Sequence, residues 1–330
     1  MKEKIILATG HAHAFHRASA LAAARNGYFL DEGLPEVEIR ATGEDSLTIE
    51  CLKSGEIDFG LDPRPHSLLE ENAKGKQIYI IAGMLNYLDL TLVAAPHIKS
   101  IADLKGKKIG FIEKGHGRDA TWVRMLLRRE GIDPDKDIFP VLDVGYASFE
   151  FQKPRIDRGD YVAKALSGHY KRPELYEQVR KAGYNVLAER SETHPDGLPD
   201  RVVATTGKML EQYPEIVIKV LKGIVRGYRF ARDPRNATTL KDMYLEQDWG
   251  KDGFGWGKFD NKLLDGMVSS ARILPPDGKI SLTGLEDVIK ELKAEGKVPK
   301  NFSKEQVLRL APLQEAVREL NAKFGPEGYE

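Results

Sequence analysis

A single cysteine, Cys51, stands in 330 residues, so the chain offers no internal disulfide partner and no thiolate cluster for a metal. Its place on the apolar face of a helical pattern reads as a buried, inert thiol. Net charge is missing too: 50 Lys and Arg face 50 Asp and Glu, which removes the usual electrostatic motive for nucleic acid or an anionic membrane face. No apolar run approaches the roughly 18 residues that a membrane-spanning helix needs. There is no Gly-x-Ser-x-Gly elbow, no Walker loop and no Gly-x-Gly-x-x-Gly after a strand. An activated serine, a nucleoside triphosphate and a dinucleotide are therefore disfavoured, and no cofactor is expected. Internal repeats and low-complexity tracts are absent, and the length suits two lobes, each with its own core. Met1-Lys2-Glu3-Lys4 runs straight into a strand pattern at 5–8, which leaves no room for a signal peptide. Two expectations follow: a periplasmic or lipid-anchored extracellular protein whose leader has been removed, or a cytoplasmic one.

What is present begins at residues 18–60. An amphipathic helix ends at Asn26-Gly27, an alternating segment carries Val37 and Ile39, and a second helix ends at Ser54-Gly55 before a short strand at 57–60. This is a β-α-β-α-β run with glycine at each helix exit, and it implies a parallel sheet. Strand patterns follow at 77–85 and 90–95, with turn residues Asn86-Tyr87 between them, then at 108–112, followed by a helix at 118–130. The segment 145–170 is rich in Gly, Tyr and Arg, and its register is open. An alternating strand at 201–206 precedes a helix at 214–232 whose Val217, Val220, Leu221, Ile224, Val225 and Tyr228 recur at helical spacing. The tail from 260 reads as three polar helices separated by Pro275-Pro276, Gly284 and Pro299. Chain crossings near 86–92 and 197–203 suit a hinge.

In a doubly wound sheet, ligands sit at the carboxyl ends of the strands, where helix starts present unpaired N–H groups. That rule selects the loop 10–16 with Gly10, His11, His13, Phe15 and His16. It also selects the turn holding Gly43 and Glu44, and the loop 60–66 with Asp62 and Arg64. Asn86 and Tyr87 at the crossing, the turn 113–121 and Tyr146 complete the set. Three readings of His11, His13 and His16 stay open: contacts to an organic ligand, surface histidines without a role, and a metal clamp by His11 and His13, which share one side of an extended segment. The turn Glu113-Lys114-Gly115-His116-Gly117-Arg118 speaks for an anion, because its glycines let backbone approach closely while Lys114, His116 and Arg118 add cationic donors at a helix start. The plain alternative is that Lys114 and Arg118 face water. Tyr146, Phe149, Phe151 and Tyr161 are candidates for closing over a ligand or for core packing. The loop Trp249-Gly250-Lys251-Asp252-Gly253-Phe254-Gly255-Trp256-Gly257 reads as a lid, a partner contact or self-packed aromatics.

Four phrases of the chain resemble the substrate-binding proteins of ABC importers in the SsuA/NMT1/THI5-like group. They are Asn26-Gly27-Tyr28-Phe29-Leu30-Asp31-Glu32-Gly33-Leu34, Leu52-Lys53-Ser54-Gly55-Glu56-Ile57-Asp58-Phe59-Gly60, Asp103-Leu104-Lys105-Gly106-Lys107-Lys108-Ile109-Gly110, and the run from Met209 through Tyr213-Pro214-Glu215 to Tyr228-Arg229-Phe230-Ala231. The resemblance implies an α/β, two-lobe type II periplasmic-binding-protein fold, each lobe a mostly parallel sheet flanked by helices, with the ligand cleft between lobes. Residues 1–88 and 203–330 would form lobe I, and 89–202 lobe II. It implies a solute-binding protein that captures a small organic anion, a carboxylate or sulfonate, by hinge closure and hands it to an ABC transporter permease. The family's cysteine-rich pyrimidine-synthesising branch is not matched, since its motif is lacking here. The alternative is a cytoplasmic decarboxylase or lyase on the same fold, with His11, His13, His116 and Glu113 doing acid–base work.

Overall fold

The glycines at helix exits act as the pattern asks: Gly55 closes its helix in the left-handed conformation, φ 77°, where its N–H caps Cys51 and Leu52 carbonyls. The elements so punctuated are β1 (Lys4–Thr9), α1 (Ala14–Arg25), α2 (Tyr28–Asp31), β2 (Glu36–Ala41), α3 (Asp45–Ser54), β3 (Phe59–Gly60), α4 (Pro65–Ala73), β4 (Ile78–Leu85) and β5 (Leu90–Ala94). Next come β6 (Lys108–Phe111), α5 (Gly117–Arg129), β7 (Phe139–Leu142), α6 (Phe149–Asp157), β8 (Ala163–Ser167), α7 (Leu175–Lys181), β9 (Asn185–Glu189) and β10 (Arg201–Thr206). The chain ends with α8 (Gly207–Gln212), α9 (Pro214–Arg232), α10 (Ala237–Leu245), α11 (Asn261–Ser270), α12 (Leu282–Ala294) and α13 (Ala311–Phe324). This computed structural model describes residues 2–10, 14–88, 90–112, 117–143, 149–167, 175–189, 194, 196–246 and 261–329. The aromatic loop 249–257 lies outside them.

Two five-stranded sheets result, ordered β2-β1-β3-β10-β4 and β7-β6-β8-β5-β9. Both follow one plan: second strand, first, third, a strand from elsewhere in the chain, then the fourth. In the first sheet β1 pairs in parallel with β2 and β3, while β10 runs antiparallel to β3 and β4. In the second, β6 pairs in parallel with β7 and β8, while β5 runs antiparallel to β8 and β9. The sheets are thus mixed, and each antiparallel strand is the one delivered by a crossing between sheets. The two crossings lie side by side, joined by a bridge between Tyr87 and Leu198.

Burial explains the strand compositions. β5, central and covered on both faces, is buried at all five residues and reads as a continuous apolar run. Edge strand β2 is instead half-exposed and laced with charge, with Lys4 2.8 Å from Glu36 and Arg40 2.8 Å from Glu38, a pattern that discourages pairing with another chain. On the first sheet α9 buries Val217, Val220, Leu221, Ile224, Val225 and Tyr228, as its spacing predicts. Its Gly227 permits the close approach of α1: a Cβ there would sit 2.0 Å from the Ser19 carbonyl oxygen.

Some expectations need correction. Gly284 does not separate helices but lies inside α12, where only glycine fits, because a Cβ would stand 2.3 Å from the Gly197 carbonyl oxygen. The tail helices are not simply polar, since α12 buries Leu285, Val288, Ile289 and Leu292. Cys51 is half-buried rather than buried, its Sγ 3.4 Å from Glu56; burial first, then that carboxylate, push its thiol pKa up. The open segment 145–170 contains α6, with Pro154 inside it, and strand β8.

Candidate functional site

The carboxyl ends of β1, β2 and β3 converge, and so does the start of β10, because that strand runs the opposite way. Asp62, two residues past β3, is fully buried and ties these ends together. Its Oδ1 accepts the Gly10 N–H at 2.7 Å, its Oδ2 lies 2.7 Å from His16 Nδ1, and its carbonyl accepts Arg201 Nη1 at 3.0 Å. His16 and Arg17 come from the first turn of α1, and both are buried. Burial lowers the Arg17 guanidinium pKa, with the Asp62 charge opposing. A buried cation beside a single carboxylate is electrostatically expensive, and such expense concentrates at binding sites. Pro65 starts α4 in its first turn, which places Arg64 at the N-cap in extended conformation. Nearby, Thr42 N–H donates to the Thr9 carbonyl at 2.8 Å, and Gly43 (φ 99°) and exposed Glu44 lead into α3. Phe15 is wholly buried, with its ring edge-on to His16 at 6.1 Å.

The second sheet carries its own polar cluster at the same end. Asp143, just past β7, accepts Lys164 Nζ at 2.6 Å and the Tyr161 hydroxyl at 2.7 Å, and also pairs with Arg155. The Asp143 carbonyl takes a further bond from Lys164 Nζ at 3.0 Å. Lys164 is fully buried, and desolvation pulls its ammonium down to about 8, with Asp119 opposing and Arg155 assisting. Asp119, in the first turn of α5, accepts the Ile112 N–H at 3.1 Å, and Thr121 donates to the Gly117 carbonyl at 2.9 Å. Phe149 and Tyr161 belong to this buried layer, whereas Phe151 is 52 % exposed.

The first-sheet candidates Gly10, Phe15, His16, Gly43, Glu44, Asp62 and Arg64 therefore gather at one sheet end. Asn86 and Tyr87 sit apart, at the crossing. The Asn86 amide is engaged with the C-terminal segment, donating to the Lys279 carbonyl at 2.7 Å and accepting the Ser281 N–H at 2.9 Å. Both residues line an open cavity of about 840 Å³ with Asp196, Arg232, Arg272 and Lys279. His11, His13, Glu113, Lys114, Gly115, His116 and Tyr146 lie outside the described residues, as does the side chain of Arg118; Gly117 opens α5. Among the described residues no group of three or more His, Cys, Asp or Glu could hold a metal, and no helix is long and apolar enough to cross a membrane. Sequence reasoning missed Arg17, Arg201, Asp143 and Lys164. Arg17 alone had a signal, its place beside His16 at a helix start.

The family model described as NMT1/THI5 like matches residues 15–237. A search among curated proteins found no match. Three solved structures illustrate the fold likeness. The periplasmic aliphatic sulphonate binding protein SsuA from Escherichia coli is 14% identical, with 93% of this chain and 98% of that one covered at a TM-score of 0.66. The periplasmic nitrate-binding protein NrtA from Synechocystis is 14% identical, with 97% and 89% covered at 0.64. The desulfurization enzyme DSZB is 12% identical, with 96% and 99% covered at 0.59. At these identities the likeness speaks for the fold, a two-lobe periplasmic-binding-protein architecture.

Proposed function

The chain belongs to the NMT1/THI5-like family, and from that premise we propose that it is the solute-binding component of an ABC importer, working in the periplasm or outside the cell. Its ligand is a small organic anion, a carboxylate or sulfonate. The observation that carries the anion is the gathering of three arginines, Arg17, Arg64 and Arg201, and the imidazole of His16 at the first sheet's end, alongside Asp62, Asp200 and the exposed Glu44. Arginine suits such a ligand because its planar fork matches a carboxylate or sulfonate.

In this reading residues 1–88 and 203–330 form one lobe and 89–202 the other, and the lobes close by bending at the paired crossings. The loop with His11 and His13 shapes the ligand from the first lobe. Lys114, His116, Arg118 and Tyr146 meet it from the second, with the positive end of α5 behind them. Contacts made to both lobes at once shift the population toward closure. The permease then reads the closed form. The fold likeness to SsuA, a sulphonate binder, and NrtA, a nitrate binder, supports an anion. That an enzyme, DSZB, shares the fold makes the test two-sided. A thermal-shift screen of carboxylates, sulfonates, pyrimidines and divalent metals, with each mixture followed by mass spectrometry, should find an acid that raises the melting temperature and is recovered unaltered. A compound that is consumed would instead support the decarboxylase or lyase alternative.

A further inference from the structure

Helix α12 follows the return to the first sheet, yet its charged face belongs to the second. Glu291, 3% exposed, accepts Arg124 Nε at 3.1 Å and Arg128 Nε at 3.0 Å, both from α5. Glu295 lies 3.4 Å from Arg124 Nε, and Asp135 binds the other side of both guanidinium groups, at 2.7 Å from Arg124 and 3.2 Å from Arg128. One turn earlier Asp287 stands 3.8 Å from Arg129 and 3.5 Å from His194. Toward the first sheet α12 packs on α4, and its Leu285 and Ile289 belong to one apolar core with Leu68 and Leu69 of α4 and with Trp122, Val123 and Leu127 of α5, so that what sets the α5 side apart is its buried ion pairs. The ion pair on that side is Lys297 to Glu70 at 3.8 Å, beyond the helix end.

These two interfaces respond differently to motion. Breaking a buried, hydrogen-bonded ion pair strands charge in a poor solvent, so the α5 side resists displacement. Apolar faces of packed helices slide past one another at small cost, which is how shear motions proceed. The helix also starts at the pivot: the Ser281 hydroxyl, its N-cap, donates to the Gly197 carbonyl at 2.9 Å, Asn86 holds the Ser281 N–H, and Gly284 sits against Gly197. Beyond it the chain rejoins the first sheet through the bridge between Ile80 and Leu308.

We infer that α12 moves with the second lobe although it lies in the first lobe's stretch of sequence, and that Glu291 is the positioning residue that makes it do so, by holding Arg124 and Arg128 behind the ligand-facing start of α5. The inference rests on the hinge reading above. It divides the lobes at four places in the chain rather than two, and makes the α4–α12 contact the sliding surface.

Spin-label distances test it. In a Cys51→Ser background, labels replace Leu30 on α2, Lys181 on α7 and Lys290 on α12, all exposed. Distances are measured in buffer and with methanesulfonate, benzoate or nitrate added. The expected result is a Leu30–Lys181 distance that changes or shows two populations, a Lys290–Leu30 distance that changes with it, and a single, constant Lys290–Lys181 distance. Glu291→Gln should broaden the Lys290–Lys181 distribution without unfolding the chain. A Lys290–Leu30 distance that stays constant while the lobes move, or a Glu291→Gln variant with an unchanged Lys290–Lys181 distribution, overturns the assignment of α12 and leaves the hinge intact. A Leu30–Lys181 distance that never varies overturns both.

Discussion

The two sheets share one strand order and one way of acquiring an antiparallel strand, yet their carboxyl ends are charged differently. The first gathers three arginines and a histidine with Asp62, Asp200 and the exposed Glu44; the second sets Lys164 and Arg155 against Asp143 and Asp119. Among the described residues the first end is rich in guanidinium groups, and the second is a closed network of two cations and two carboxylates. A balanced, buried, hydrogen-bonded network rigidifies its surroundings without attracting an ion. Guanidinium groups gathered at a cleft suit a planar or tetrahedral oxyanion. In the proposed reading, selection of charge belongs to the first sheet and the holding of loop geometry to the second. The edges differ as well: charged β2 against β7, which leaves Phe139 61% and Leu142 54% exposed.

The comparison breaks most visibly at Lys164. Lys164→Met takes from Asp143 its fully buried cation partner, and loss of one partner from a buried pair should cost about 3–5 kcal/mol in urea denaturation. The double variant Lys164→Met/Asp143→Leu should recover much of that loss. If the single variant is as stable as the parent, the second-sheet cluster is not structural.

A second effect, about 3 kcal/mol, comes from His194 beside α12. Burial, helped by Arg129 and opposed by Asp287, lowers its pKa from 6.5 to about 4. The unfolded chain thus binds a proton that the folded chain refuses between those values. Stability is full above pH 6.5 and falls as pH drops toward 4. A His194→Gln variant should flatten this part of a stability profile measured by thermal melting; an unchanged slope would contradict the assignment.

The third sharpens the division of labour. In the proposed reading the second lobe offers the ligand charge through Lys114, His116 and Arg118. Arg118→Ala should weaken binding of the acid found by screening at least tenfold, about 1.5–3 kcal/mol for a lost charge-assisted bond, as read by calorimetry. The smallest effect concerns the edges. Phe139→Lys should leave the melting temperature within a degree or so and reduce light scattering in concentrated solution, as expected for guarding an apolar edge strand. The same change giving no drop in scattering would make β7 harmless.

Much of this architecture was legible in the sequence where local and global signals agree. The strand Arg201–Thr206 and the helix Pro214–Arg232 were readable to the residue, because alternation in one and a helical apolar stripe in the other were bounded by Gly207 and by Pro214 and Pro234. Gathering of Gly10, Gly43 and the loop after Gly60 at one sheet end followed from the parallel β-α-β run alone. The failures share a cause: they depend on partners far away in the chain. Gly284 looked like a helix breaker because Gly197, which demands it, is distant in sequence. Lys164 carried no signal in the open segment 145–170 because Asp143 and Asp119 are brought to it only by the sheet. Arg201 likewise reaches Asp62 only because β10 runs antiparallel. The α12 ion pairs join residues more than 150 positions apart and carry no local signature.

The most direct measurement compares one acid with its uncharged twin. Isothermal titration should give measurable affinity for the stabilising carboxylate or sulfonate and at least a hundredfold less, about 3 kcal/mol, for the corresponding neutral amide. Equal affinities, or tighter binding of the amide, would contradict the claim that the arginine-bearing first-sheet end selects an anion.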